Sequence, residues 1–215
     1  MQANFIGRIF ATPSTSSQRK KRMVRQYALG QKNPMTFFRC VPMDPAAAAR
    51  FRTSRRDDRG GAIQTRPVDG PGYPCRACLR LGQPGEVMLL ASWDLPLPQG
   101  PYWTPSPVFL HAHDCSGVAL DDALPETVLV NSIISLRHYD AAGMCLYDLG
   151  VVVPGEEAEA ALRTRLDDPR VAYVNIHTAR PGCWLTRVEK ILRSVDAPHG
   201  QFPSWLCYGL VQINR

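Results

Sequence analysis

Cys75, Cys78, His111 and Cys115 carry the sharpest chemistry in this sequence, spaced as Cys75-x-x-Cys78 followed, after 32 intervening residues, by His111-x-x-x-Cys115. Two cysteines two residues apart can hold one ion through a single tight turn, and Pro74 helps fix that turn. A second pair delivered from the end of another strand would complete a tetrahedral Cys₃His shell of the kind that binds structural zinc. His113 is an alternate ligand, because either histidine could reach. Asp114 and Glu86 are candidate outer-shell or basic groups. A shell closed by four protein ligands leaves no position for water or substrate, so the expected metal is a strut. Two other readings stay open. Cys75 and Cys78 could be small buried hydrophobes, or a redox dithiol, although the βαβ context of that motif is missing upstream.

Asn175, His177, Arg180 and Cys183 form a second constellation, which places amide, imidazole, guanidinium and thiol at a strand-to-loop transition. Such transitions often carry function. In the catalytic reading Cys183 is a nucleophile paired with His177, and Arg180 holds an anionic substrate. In the structural reading Pro181-Gly182 turns the chain, Cys183 and Trp184 enter the core, and His177 and Arg180 face solvent. The sequence has no phosphate-cradling glycine loop, no HExxH and no Gly-x-Ser-x-Gly elbow. Those absences remove most of the common nucleotide, metalloprotease and serine-hydrolase classes.

These residues need a scaffold, and 215 residues with 45% apolar content suffice for one sizeable core. The net charge of +6 suggests nucleic acid only until it is located. Residues 1–34 hold seven basic side chains and no acid, leaving 18 of the 25 basic residues against all 19 acidic ones in the body. The body is therefore nearly neutral, which argues against nucleic acid as its partner. The arm 1–34 reads as a basic disordered tail, with an organelle-targeting peptide and a nucleic-acid arm around Arg19-Lys20-Lys21-Arg22 as alternatives. No run reaches the roughly 18 apolar residues of a membrane helix. An odd count of seven cysteines suits a reducing, cytoplasmic setting.

Local signals predict a first strand from residue 35, a helix at 44–51 capped by Asp44 with Pro45 at its first position, and strands at 86–92 and 108–111 joined by a Pro-rich loop. The β-branched runs 128–139 and 144–153 predict a hairpin about the turn 140–143. A helix over 156–167, a strand over 171–177 and a strand or helix start at 183–191 follow. The sum is an α+β domain over 35–193, with a mainly antiparallel sheet, one or two helices on one face and a zinc-binding hairpin. Residues 194–215 read as an extension docking back as a terminal strand.

Gly72-Tyr73-Pro74-Cys75-Arg76, Pro84-Gly85-Glu86, Val108 to Ala112, Asp168 to Val174, Gly182-Cys183 and Arg187-Val188-Glu189 together resemble an uncharacterised bacterial family, domain of unknown function 1203. The resemblance spans about residues 36–190. It implies a bacterial, soluble, one-domain protein and brings no activity, cofactor or catalytic residue. The leading expectation is thus a zinc-stabilised cytoplasmic binding module for a protein or small-molecule partner, with no membrane association. Two alternatives are a small enzyme using His177, Arg180 and Cys183, and an adaptor binding nucleic acid through the N-terminal arm.

Overall fold

Short β-branched and aromatic runs interrupted by Gly and Pro build short strands, and a sheet of such strands must bury at least one face. The computed structural model describes residues 36–96, 98–115, 117 and 119–191. The arm 1–34 and the extension 194–215 lie outside the described residues. Among those described, the strands form two antiparallel sheets rather than the single one expected.

Phe37–Val41 (β1), Leu120–Asp121 (β5), Ile134–Tyr139 (β6), Val151–Val153 (β7), Tyr173–Thr178 (β8) and Trp184–Ile191 (β9) make a six-stranded sheet in the order β5-β1-β9-β8-β6-β7. Gln64–Pro67 (β2), Val87–Asp94 (β3) and Pro105–His111 (β4) make a three-stranded sheet. The predicted strands at 86–92 and 108–111 pair as expected, with Met88 opposite His111 and Asp94 opposite Pro105.

Each sheet has its own helix. In α1, Pro45–Ser54, the Asp44 carboxylate accepts the Ala46 N–H at 3.1 Å, which satisfies one of the orphan donors of the first turn. This helix buries Ala47, Ala48 and Phe51 in a core with Met88, Trp93, Val108 and Trp184. A second helix, Glu126–Leu129 (α2), is a single turn. The third, Ala158–Leu166 (α3), follows a 3₁₀ turn at Gly155–Glu157. It buries Ala158, Leu162 and Leu166 against Ile134, Leu136, Val174, Ile176 and Val188. Burial of each leucine stabilises by about 2 kcal/mol.

The predicted hairpin over 128–139 and 144–153 is corrected in its extent. Pro125 sets the extended conformation that precedes a helix start, and Glu126 follows in the first turn, so 126–129 coils into α2 and the strand begins only at Ile134. Its partner is confined to β7, paired antiparallel with Ile134 opposite Val153. The expected turn at 140–143 does form, with Tyr139 bridging Cys145 and Asp140 N–H donating to Met144 C=O at 3.1 Å, and the ladder is interrupted beyond it before β7 resumes. Residues 183–191 resolve to the strand option as β9, with a register shift at Ile176/His177.

Period-two alternation divides β6 and β8 between two environments. Ile134, Leu136, Val174 and Ile176 enter the core beneath α3. The alternate residues Tyr139, Tyr173, Asn175 and His177 are buried too, although all four carry polar groups. This face is polar and covered, an arrangement that the sequence pattern alone does not distinguish from a solvent face.

Candidate metal centre

The first pair of sulfurs sits on a turn that the backbone closes twice. Cys75 N–H donates to Arg80 C=O at 2.8 Å, and Leu79 N–H donates to Cys75 C=O at 2.9 Å. Leu79 adopts φ 59°, a left-handed conformation costing about 1 kcal/mol for a residue with a Cβ. Its side chain is only 2% exposed and packs in the core beneath α3, which offsets that cost. The second pair comes from β4: His111 ends the strand, where Ala112 N–H donates to Val87 C=O at 2.8 Å, and Cys115 follows in the loop.

The four ligand atoms converge to within 4.8 Å of one another, and Cys75, Cys78 and His111 are buried. Cys75 Sγ lies 3.7 Å from Cys115 Sγ, and Cys78 Sγ lies 3.5 Å from His111 Nδ1. A disulfide would need about 2.05 Å, so these are separate thiols. Such a group could hold a metal ion.

Hydrogen bonds orient the set. His111 turns Nδ1 to the sulfurs and Nε2 to Glu86, 3.3 Å from Oε2. That carboxylate favours the Nε2–H tautomer and leaves the Nδ1 lone pair directed at the cluster. Donation from Gln83 N–H holds the Glu86 carboxyl below its usual range, with His111 and His113 adding to the effect. His113, the alternate ligand, stands outside the cluster. It stacks on His111 with ring centres 4.8 Å apart and its Nε2 lies 4.0 Å from Glu86. Asp114, the other outer-shell candidate, is exposed and pairs with Arg52 at 3.2 Å.

Two arginines missed by the motif reading hold the turn and loop in place. Arg52, at the end of α1, donates to Cys115 Sγ at 3.1 Å, to His111 C=O at 3.1 Å and to Asp114. Arg76, inside the Cys-x-x-Cys turn, is buried and donates to Trp184 C=O at 2.8 Å and Pro74 C=O at 2.6 Å. Burial pulls its guanidinium down to about 10. An arginine offers no spacing rule, so only its position inside the motif could have drawn attention to Arg76.

Without a cation, three sulfurs this close cannot all ionise. The Cys75 thiol is drawn down because Cys115 and Cys78 donate to it, while the Cys115 thiol is driven up by its contact with Cys75. A divalent ion would remove this conflict by binding all three as thiolates and releasing their protons.

Gly117 completes the fit. A Cβ there would stand 1.9 Å from Ala77 C=O, inside the turn that carries the first two sulfurs. Gly117→Ala therefore has to displace either the turn or the Cys115 loop. The expected result is a loss of bound metal by at least half, measured per chain by elemental analysis. Full metal content with an unchanged melting temperature would refute it.

The residues of the second constellation share the β8–β9 junction but differ in exposure and in hydrogen-bond partners. His177 is 3% exposed, Arg180 is on the surface and Cys183 is half-buried. His177 Nδ1 meets Gly182 C=O at 2.9 Å, and no hydrogen bond among the described residues joins its ring to Cys183 or Arg180. Cys183 takes part in a turn instead, its N–H donating to Thr178 Oγ1 at 3.0 Å.

A cleft of ≈ 420 Å³ opens beside the sulfur cluster, lined by Cys78, Glu86, His111, His113, Asp114 and Cys115 among others. A family described as "Protein of unknown function (DUF1203)" matches residues 72–190. The match includes all four cluster residues. No curated protein and no solved structure matches the chain.

Proposed function

The chain belongs to the DUF1203 family of unknown function, and from the geometry of its sulfur cluster we propose a binding module whose three-stranded layer is held by one structural zinc ion on Cys75, Cys78, His111 and Cys115. The distances carry the reading. Tetrahedral zinc with Zn–S near 2.3 Å and Zn–N near 2.0 Å implies S···S edges of about 3.8 Å and S···N edges of about 3.5 Å. Two edges of the cluster measure 3.7 Å and 3.5 Å, and all six lie within 4.8 Å. Glu86 would orient His111, and Arg52 would temper the charge of three thiolates.

Four protein ligands fill a tetrahedron, so the ion's role is to join the 75–80 turn to the loop after β4. The six described cysteines are all free thiols, which suits a reducing compartment such as the cytoplasm. No helix among the described residues is long and apolar enough to cross a membrane. The functional domain in this reading is 35–193, with the arm and the C-terminal extension as additions.

Cobalt substitution tests the ligand set. Co²⁺ in a tetrahedral S₃N shell gives intense d–d bands and a sulfur-to-cobalt charge-transfer band, and Cys78→Ser should weaken the latter by about a third. Weak octahedral spectra, or purified protein with less than about 0.2 equivalents of zinc, would reject the site.

A further inference from the structure

The cleft beside the sulfur cluster reaches some of its members and not others. Cys78, His111 and Cys115 line it, whereas Cys75 does not. Cys75 is 0% exposed and Cys78 8%, but Cys115 is half-buried and the most open of the three thiols. Arg80, Glu86, His113 and Asp114 line the same space, so its wall is polar. At ≈ 420 Å³ the cleft has room for several molecules the size of water, each taking about 30 Å³. A reagent of that size meets Cys115 before it can meet Cys75.

The open sulfur is paired with a sealed one. Cys75 Sγ lies 3.7 Å from Cys115 Sγ, so a bond of about 2.05 Å needs an approach of about 1.7 Å. Cys115 lies in the connection between β4 and β5, outside any strand or helix, so the movement falls on its side. Arg52 Nη2 stands 3.1 Å from Cys115 Sγ and sets a positive charge beside it, which favours the thiolate. Cys75 is held from its own side, accepting the His111 N–H at 3.4 Å, while Cys78 Sγ faces His111 Nδ1. An accessible thiolate with a second sulfur poised beside it is the arrangement that undergoes reversible oxidation.

Resting on the four-ligand zinc reading, we propose that Cys115 is the site at which a small hydroperoxide such as hydrogen peroxide oxidises the cluster, and that Cys75 resolves it with release of the ion. The Cys115 thiolate attacks one peroxide oxygen; an S–O bond forms, the O–O bond breaks and hydroxide leaves, giving a sulfenic acid. The Cys75 thiolate then attacks that sulfur, the S–O bond breaks and a second hydroxide leaves. Two thiolates thus lose two electrons to form one disulfide, and the peroxide is reduced to two hydroxides. Cys78 and His111 alone are too few ligands to hold the zinc, which dissociates. The new disulfide still ties the 75–80 turn to the loop after β4, so the scaffold keeps a crosslink. What changes is the cleft wall, where Cys78 and His111 no longer share an ion.

The test uses the full-length, zinc-loaded protein, whose metal content is measured first. Hydrogen peroxide is added at neutral pH, zinc release is followed with a colorimetric chelator, dimedone traps sulfenic acid, and the cysteines are mapped by peptide mass spectrometry. About one equivalent of zinc should leave as a Cys75–Cys115 disulfide accumulates, any early dimedone adduct should fall on Cys115, and dithiothreitol with added zinc should restore the starting state. Cys115→His keeps a Cys₂His₂ shell and removes the open thiol, so zinc release should slow about tenfold or more. Cys145→Ser and Cys183→Ser, at half-buried thiols outside the cluster, should leave the rate as it was. Should Cys115→His fail to fold, the disulfide map of the native chain decides alone. Zinc-loaded protein that keeps its ion in peroxide, or loses it with the disulfide or the adduct on other cysteines, overturns the proposal while the zinc reading stands. Protein purified without zinc overturns the zinc reading and this proposal with it.

Discussion

Removing the ion with a high-affinity chelator should lower the melting temperature by more than about 10 °C, and re-addition of zinc should restore it. The size of the effect follows from what the ion joins. Cys75 and Cys78 are buried members of the core under α1, alongside Met88, Trp93, Val108 and Leu110. Loss of the ion frees the 75–80 turn from the loop after β4 and leaves a thiol cluster that cannot ionise together. Structural zinc contributes on the order of 10 kcal/mol to small domains, and half of that, about 5 kcal/mol, already moves a protein of this size by about 10–20 °C. The six-stranded sheet and α3 have a separate core. Hydrogen exchange should therefore quicken in β3 and β4 while β8 and its neighbours under α3 stay protected. A chelated protein that melts within about 2 °C of the holo form would refute a structural role.

The metal cluster was legible because its information is local in type and spacing. Cys75-x-x-Cys78 specifies a turn, and His111 and Cys115 follow a strand whose apolar run is unambiguous. The choice of His111 over His113 was not legible, because it depends on which residue ends β4 pointing inward and on Glu86 reaching Nε2. The division into two sheets escaped for a similar reason. Nothing in a strand's own residues states its neighbour, and β1 pairs with β9, about 150 positions away. Residues 128–133 misled because β-branched content favours a strand, whereas the Pro125-Glu126 start and the packing of Val128 into the core select a helical turn. On β6 and β8, alternating polar residues read as a solvent face until another part of the chain covers them.

Burial on both faces of that sheet also fixes how the protein should respond to acid. His138 and His177 are both buried, and burial pulls each imidazole down to about 4, with Arg165 acting further on His138 and Arg137 on His177. In the unfolded chain each titrates near 6.5. Between those values the unfolded state binds the protons that the folded state refuses, so stability is complete above about 6.5 and falls as pH drops toward 4. A shift of this size corresponds to about 3 kcal/mol per histidine, a large part of the net stability of a domain. His138 separates this effect from acid release of the metal, because it lies on the face under α3 and neither ring nitrogen has a hydrogen-bond partner. His138→Leu removes one titrating group and one unsatisfied polar pair while filling similar space. The variant should match or exceed the native protein at pH 7, and at about pH 4.5 it should be the more stable by about 2 kcal/mol or more, measured by urea unfolding across the range. Parallel stability curves for the two proteins over that range would show that His138 is not refusing a proton in the folded state.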